Sequence, residues 1–180
     1  MTGPARPPLT FSFFPDVPEF TLTSDDVADG QMMSQGQVAG AMGYSGLNRS
    51  PQLRWSGFPP QTKSFAITVH DPDAPTGSGF WHWVVVNIPA DVHELANDVG
   101  SGDSVGLPAG VLQIRNDAGA HGFMGAAPPP GDVAHRYVHT VHALDVEHLD
   151  VERSASPAMV GFNLRFHAIA RAQIVAVFGS

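Results

Sequence analysis

The chain has 180 residues, of which 43% are apolar and 14% are charged, with a formal net charge of −8 and no cysteine. This length suits one domain with a continuous core, and the lack of cysteine excludes disulfides, thiolate catalysis and cysteine-ligated metals. The negative charge argues against a nucleic-acid partner, and no apolar run approaches the roughly 20 residues of a membrane-spanning helix.

The N-terminal sequence "MTGPARPPLTFSFFPDVPEF" is rich in proline and lacks the apolar core of a signal peptide. We interpret residues 1–18 as an extended arm that precedes a single domain over residues 19–180, and we expect a cytoplasmic location. Glycine and proline are frequent along the whole chain, which favours many short strands over long helices.

The segment "SFAITVH" alternates as a strand, with Phe65, Ile67 and Val69 on one face and His70 on the other. The segment "HDPDAPTGSGFWHW" follows directly from its last residue. Each proline holds the preceding residue away from helical geometry, so Asp71 leaves the strand in an extended conformation. The aspartates either serve a binding site or only bond to nearby backbone amides, as aspartate commonly does in turns.

The segment "HWVVVNI" is nearly continuously apolar, as expected for a strand in the middle of a sheet that is covered on both faces. Alternation places His82 on the face of Val84 and Val86, and places Trp81, Trp83 and Val85 on the other face. A lone histidine in a strand is more often a hydrogen-bonded core residue than a functional one.

Further strands are predicted over "VLQIR" (residues 111–115) and "HRYVHTVHALDV" (residues 135–146). The three prolines Pro128 to Pro130 form a stiff loop before the second of these, on which His135, Tyr137 and His139 share a face. One helix is predicted to begin at Ser156 and Pro157 and to run to residue 170, followed by a last strand over residues 173–178.

The motifs "DPDAPTGSGFWHW" and "APPPGDVAHRYV" resemble the two signature regions of the phosphatidylethanolamine-binding protein family, whose animal members include the Raf kinase inhibitor protein. "SPQLRWSGFP" is similar to the family's early strand, "RNDAG" to the segment before the proline loop, and "HAIARA" to its late helix. The length and "TGSGFWHW" resemble the bacterial branch. The resemblance implies a mainly β fold, in which a large antiparallel sheet packs on a smaller sheet with a late α-helix on the opposite side.

The resemblance also implies a small anion-binding pocket, carried over by position. Its lining residues would be Asp71, His82, His135 and Tyr137, with a rim of Ala127, Pro128 and Pro129. Supporting residues would be Asp73, Arg136, Trp83 and His139. The chain departs from the family at Gly125-Ala126, where glycine-proline is usual, which predicts a less rigid rim. His139 and His142 are further departures, which either extend the pocket or are core histidines.

The side chains of this pocket suit an oxyanion. His82 and His135 gain charge near neutral pH and can donate hydrogen bonds, and Tyr137 adds a neutral donor. Asp71 would repel an anion, so it either pairs with a histidine and keeps it protonated or meets the amine of a zwitterionic headgroup.

Three classes of function follow from this resemblance. We favour a binding protein, with a regulatory role as an option, whose ligand is a phosphate, a carboxylate or a phospholipid headgroup. The alternatives are an enzyme that uses the pocket for general acid–base chemistry, such as cyclisation or proton transfer, and a kinase or protease inhibitor that docks by its surface. We expect no cofactor. We also expect no metal ion, because the spacing of Asp71, His82 and His135 fits no ligand motif. By analogy with the bacterial branch, we expect a homodimer.

Overall fold

The structure, a computed structural model, describes residues 5–102 and 106–179. Within these ranges the chain forms a short 3-10 helix, eight strands and one α-helix. The 3-10 helix is Gln35–Gln37, and the other elements are β1 (Thr21–Thr23), β2 (Leu53–Ser56), β3 (Ser64–Asp71), β4 (Phe80–Pro89), β5 (Glu94–Leu95), β6 (Leu112–Gln113), β7 (His135–Leu144), α1 (Pro157–His167) and β8 (Ala168–Phe178).

Two antiparallel sheets account for these strands. The larger has five strands in the order β6-β4-β3-β7-β8, and the smaller has three in the order β1-β2-β5. The smaller sheet packs on one face of the larger and α1 packs on the other. The predicted mainly β architecture with a late helix is therefore confirmed.

Strand β3 shows why the large sheet is covered on both faces, since all of its residues are buried. Phe65, Ile67 and Val69 face the first core, which they share with β2 residues such as Trp55. Ala66 faces the second core, which includes Val160 and Leu164 of α1 together with Phe11. The predicted alternation of this strand between two faces is confirmed.

Strand β4 does not alternate regularly, and the predicted face of His82 is wrong. Val69 pairs with Trp83, but the next residue, His70, pairs with Trp81, so His82 is the extra residue of a β-bulge. Trp83 lies in the first core, whereas Trp81 packs against the second. The bulge turns His82 away from the face of Val84 and towards Tyr137.

The predicted helix begins where expected and ends earlier. The Ser156 side chain accepts a hydrogen bond from the Met159 amide, and Pro157 occupies the first turn. The helix ends at His167 and not at residue 170, and "HAIARA" belongs mostly to β8. Pairing of β8 with β7 extends from Phe178 to Ala168, so ladder hydrogen bonds take these residues out of the helix.

Two predicted strands are shorter than expected. The strand over residues 111–115 is reduced to Leu112–Gln113, and the strand that starts at His135 ends at Leu144 rather than at residue 146. β7 ends where both of its partners begin, because Leu144 pairs with Ser64 of β3 and with Ala168 of β8. The regular pairing of β6 is limited to Val85 and Val86 of β4.

The N-terminal segment lies against the second core. Phe11 is 5% exposed and contacts Phe14, Trp81 and His142. The boundary between an arm and a domain at residue 18 stays a prediction, and residues 1–4, 103–105 and 180 of those two segments lie outside the described residues. In the described ranges no helix has the length and apolar character needed to cross a membrane.

Alanine substitutions of Gly100 and Gly161 are expected to have opposite effects on the stability of the fold. A Cβ on Gly100 would lie 2.1 Å from Cζ2 of Trp83, so Gly100→Ala should overpack the first core and destabilise the fold by about 1–3 kcal/mol. A Cβ on Gly161, within α1, would meet no atom within 4 Å, so Gly161→Ala should stabilise by about 0.5–1 kcal/mol. Urea unfolding of both variants measures the change, and equal midpoints for Gly100→Ala and the parent would contradict this packing.

Candidate functional site

A hydrogen bond between Asp71 and His135 joins the end of β3 to the start of β7. His135 donates from Nδ1 to Oδ2 of Asp71 over 2.7 Å, and both side chains are almost fully buried. Oδ1 of Asp71 accepts from the amides of Asp73 and Ala74 at 2.8 and 3.1 Å. Burial raises the pKa of Asp71 above its usual value, although the His135 hydrogen bond opposes this shift. With both oxygens engaged, Asp71 orients His135.

The other ring nitrogen of His135 faces a second carboxylate. Nε2 lies 3.4 Å from Oδ2 of Asp132, whose side chain is 42% exposed. Asp132 is not among the site residues that the sequence motifs predict. Its position three residues before His135, directly after the proline-glycine loop, was the available signal.

Tyr137 brings a hydroxyl to the same face of β7. The residue is 2% exposed, and its hydroxyl is enclosed without a hydrogen bond of normal geometry to any described residue. The Ala127 backbone of the proline loop lies beside it. Burial raises the pKa of Tyr137 far above its usual value, so the hydroxyl keeps its proton and remains a donor.

His82 reaches this cluster because of the bulge in β4. Its ring centroid lies 5.2 Å from that of Tyr137, and its Nδ1 lies 2.8 Å from the Met124 carbonyl oxygen. Since a carbonyl only accepts, Nδ1 carries a proton. Burial lowers the pKa of His82 to about 4, so the expectation that His82 gains charge near neutral pH is wrong. Nε2 is therefore a lone-pair acceptor.

The two further histidines of β7 separate to opposite faces. His139 is fully buried in the site-facing layer, where its Nδ1 donates to the Tyr137 carbonyl over 3.0 Å and burial lowers its pKa to about 4. His142 lies on the second-core face, against the Phe11 ring and 3.2 Å from the Thr68 hydroxyl. His142 is therefore outside the cluster.

The rim of the site is held by a segment that the sequence motifs do not include. The Tyr44 hydroxyl donates to the Pro128 carbonyl over 2.7 Å, and the Ala39 amide donates to the Ala126 carbonyl over 3.0 Å. A Cβ on Gly125 would lie 2.5 Å from the Ala39 nitrogen, so only glycine permits this approach. Ala127 is half-buried, Pro128 is buried and Pro129 is exposed.

Asp73 and Arg136 support the loop from the other side. Oδ2 of Asp73 accepts from the Arg136 amide and Nε, at 2.9 and 2.8 Å, and Oδ1 accepts from the terminal guanidinium nitrogen at 2.7 Å. Burial alone would raise the pKa of Asp73, but the Arg136 hydrogen bonds outweigh it and hold the pKa below its usual value. Trp83 donates from Nε1 to the Gln113 amide oxygen over 2.6 Å and packs in the first core.

The structure thus brings Asp71, His82, His135 and Tyr137 to one face of the large sheet. In the described residues no group of three metal-ligating side chains could hold a metal ion. The cluster offers the Tyr137 hydroxyl as a donor, His82 Nε2 as an acceptor, and His135 Nε2, which donates when the ring is protonated. The exposed fractions of 2–4% for these four residues restrict access to a small chemical group.

Comparisons with known proteins identify relatives of this architecture. The sequence profile of the family described as phosphatidylethanolamine-binding protein matches residues 23–179. The UPF0098 protein YbhB of Escherichia coli K12 is 55% identical over 157 residues, which cover 87% of this chain and 98% of that protein. The crystal structure of E. coli YbcL, described as a new member of the mammalian PEBP family, has a TM-score of 0.87 and 49% identity, and the match covers 90% of this chain and 99% of that one.

A more distant likeness concerns the fold alone. The phosphatidylethanolamine-binding protein from Plasmodium vivax matches with a TM-score of 0.58 at 15% identity, over 92% of this chain and 90% of that one. The two-sheet architecture therefore persists where most side chains differ.

The Asp73–Arg136 ion pair is expected to contribute measurably to the free energy of unfolding. Asp73→Asn should destabilise the protein at pH 7 by about 1–3 kcal/mol, because the half-buried Arg136 guanidinium loses its charged, doubly hydrogen-bonded partner. Since the folded-state pKa of Asp73 is lowered, the difference should be constant above about pH 5 and should shrink as the pH falls below the usual aspartate pKa.

Urea unfolding of parent and variant across this pH range measures the effect. Glu94→Gln is the matched control, because the Arg54–Glu94 ion pair is exposed and should contribute little. A difference that grows on acidification would contradict the assignment.

Proposed function

This chain belongs to the phosphatidylethanolamine-binding protein family, and on that premise we propose that the cluster of Asp71, His82, His135 and Tyr137 binds the phosphate group of a small ligand, such as a phospholipid headgroup. The observation that carries this proposal is the Tyr137 hydroxyl, which is enclosed near Asp71 without a hydrogen bond of normal geometry to any described residue. A buried polar group without a partner is costly, so an unfilled donor favours a ligand oxygen at this point.

The charges of the site favour a phosphate that carries a proton. His82 is neutral and presents Nε2 as an acceptor, which suits a P–O–H group and not a fully deprotonated oxyanion. Tyr137 supplies a donor for another phosphate oxygen, and His135 supplies a second one when Nε2 carries a proton. Asp71 acts through His135, because both of its oxygens are already hydrogen-bonded.

Anion binding to variants of the site distinguishes the hydrogen-bond donors, His135 and Tyr137, from the acceptor, His82. We expect His135→Gln and Tyr137→Phe to weaken binding of both O-phosphoethanolamine and inorganic sulfate by about 1–3 kcal/mol, because each removes or weakens a hydrogen bond to the anion. His82→Ala should weaken O-phosphoethanolamine by a similar amount at about pH 5, where a phosphomonoester still carries one proton, and should leave sulfate binding nearly unchanged.

Titration calorimetry measures these affinities, and unfolding midpoints near that of the parent establish that each variant is folded. Folded His135→Gln and Tyr137→Phe variants that bind both anions as tightly as the parent would refute the site.

The slope of sulfate affinity against pH indicates how many histidines bind sulfate as cations. Burial lowers the pKa of His82 to about 4, so His82 does not titrate between pH 5 and 8.5. If a histidine binds sulfate as a cation, the affinity should then fall as the pH rises, by at most about tenfold per pH unit. His135→Gln should remove this dependence.

A steeper slope would mean that two histidines bind as cations. A flat profile in the parent would mean that Tyr137 and backbone amides bind the anion without His135.

We also propose that the protein is a homodimer in the cytoplasm. The dimer rests on analogy with bacterial family members and on a chain in which only 14% of residues are charged, which limits repulsion between subunits. Light scattering after size exclusion should return about twice the chain mass of 19.1 kDa, and a monomer at high micromolar concentration would contradict it. Cell fractionation tests the location.

A further inference from the structure

A second groove lies on the face of the large sheet opposite the Asp71 cluster. Its volume is about 870 Å³, within the range of small-molecule sites. Three parts of the chain form its walls: residues 7–14 of the N-terminal segment, residues 72–79 of the loop after β3, and α1 between Ala158 and Arg165. Nothing in the proposed phosphate site uses this space.

Large aromatic side chains line this groove without being covered. Phe13 and Phe162 are 77% and 61% exposed, although both belong to its lining. Trp81 and His70 form the floor, where their ring centroids lie 4.2 Å apart. An exposed apolar surface of this kind on a folded domain marks a binding site.

The floor of the groove presents no unpaired hydrogen-bonding group that a ligand would have to satisfy. His70 is the titratable side chain there, and both of its ring nitrogens have partners: Nδ1 lies 2.7 Å from the Thr10 hydroxyl and Nε2 lies 3.1 Å from the Ser78 carbonyl. A ligand that fills the groove can therefore be apolar along its body without leaving a buried group unsatisfied.

A cationic side chain, Arg165, lies at the edge of the groove. Asp73 and Arg165 are the charged residues of the lining, and Asp73 is already bonded to Arg136 through both oxygens. No carboxylate in the described parts of the chain forms an ion pair with Arg165. In a chain with a formal net charge of −8, the groove thus combines an apolar interior with a local cation.

We propose that this groove binds a single-chain alkyl carboxylate, with the chain along the aromatic walls and the carboxylate on the guanidinium of Arg165. Burial of methylenes supplies the affinity, and the charge-assisted hydrogen bond to Arg165 fixes the orientation. The proposal is independent of the phosphate site, from which the groove is separated by the sheet.

A chain-length series tests the apolar part. Binding of hexanoate, octanoate and decanoate, below their micelle concentrations, is measured by calorimetry and by tryptophan fluorescence. Trp81 lines the groove, whereas Trp55 and Trp83 are buried in the first core. We expect the affinity to rise about two- to fourfold per methylene added, and the fluorescence response to disappear in Trp81→Phe.

Two variants test the location. Gly161→Leu should abolish decanoate binding, because a side chain at this lining position projects into open space. Met159→Leu is the matched control: it adds the same residue on the same helix at an exposed position outside the lining, and it should bind like the parent. Arg165→Gln should remove the preference for decanoate over decanol, which we expect to be about tenfold in the parent.

Three results would overturn the proposal. The first is equal decanoate binding by Gly161→Leu and the parent. The second is competition by O-phosphoethanolamine, which would place both ligands in one site. The third is a parent that is dimeric, does not bind decanoate and becomes monomeric in Gly161→Leu, which would assign the groove to a second copy of the chain.

Discussion

The hydrogen bonds that the two aspartates of "DPDAP" accept from the start of β7 are the interaction on which the candidate site depends. Asp71 binds His135 and Asp73 binds Arg136, so two consecutive residues of β7 are tied to one turn. The prolines make this turn stiff, which limits the entropy that is lost when the bonds form. The ring of His135 is oriented as a result.

The bulge in β4 is the second requirement. A regular strand would have placed His82 in the second core, beneath α1, and separated it from Tyr137 by the thickness of the sheet. One extra residue reverses this and brings the His82 ring beside Tyr137, where the Met124 carbonyl fixes its tautomer. The same irregularity places Trp81 over His70 on the opposite face, so a single insertion shapes both the site and the floor of the second groove.

Burial gives the cluster a chemistry that differs from what its residue types suggest. From residue types alone, the histidines and the tyrosine suggest a cationic receptor for anions. Desolvation nevertheless keeps His82 and His139 neutral and Tyr137 protonated. The site then combines donors with an acceptor, which is the basis for the proposed preference for a protonated phosphate over sulfate. The departures at His139 and His142 also differ in meaning, because one lies in the layer of the site and the other lies against Phe11.

The sequence by itself determined the fold class, the two faces of β3, the start of α1 at Ser156 and the family, because alternation, capping and long motifs are local signals. It also named Asp71, His82, His135 and Tyr137, although only the resemblance placed them together. Tertiary structure alone decided the face of His82, the end of α1 at His167, and the roles of Tyr44, Asp132 and Met124. A bulge depends on the register of the partner strand, a helix end depends on competition with a neighbouring ladder, and a pKa depends on burial, and all three are set by residues distant in sequence.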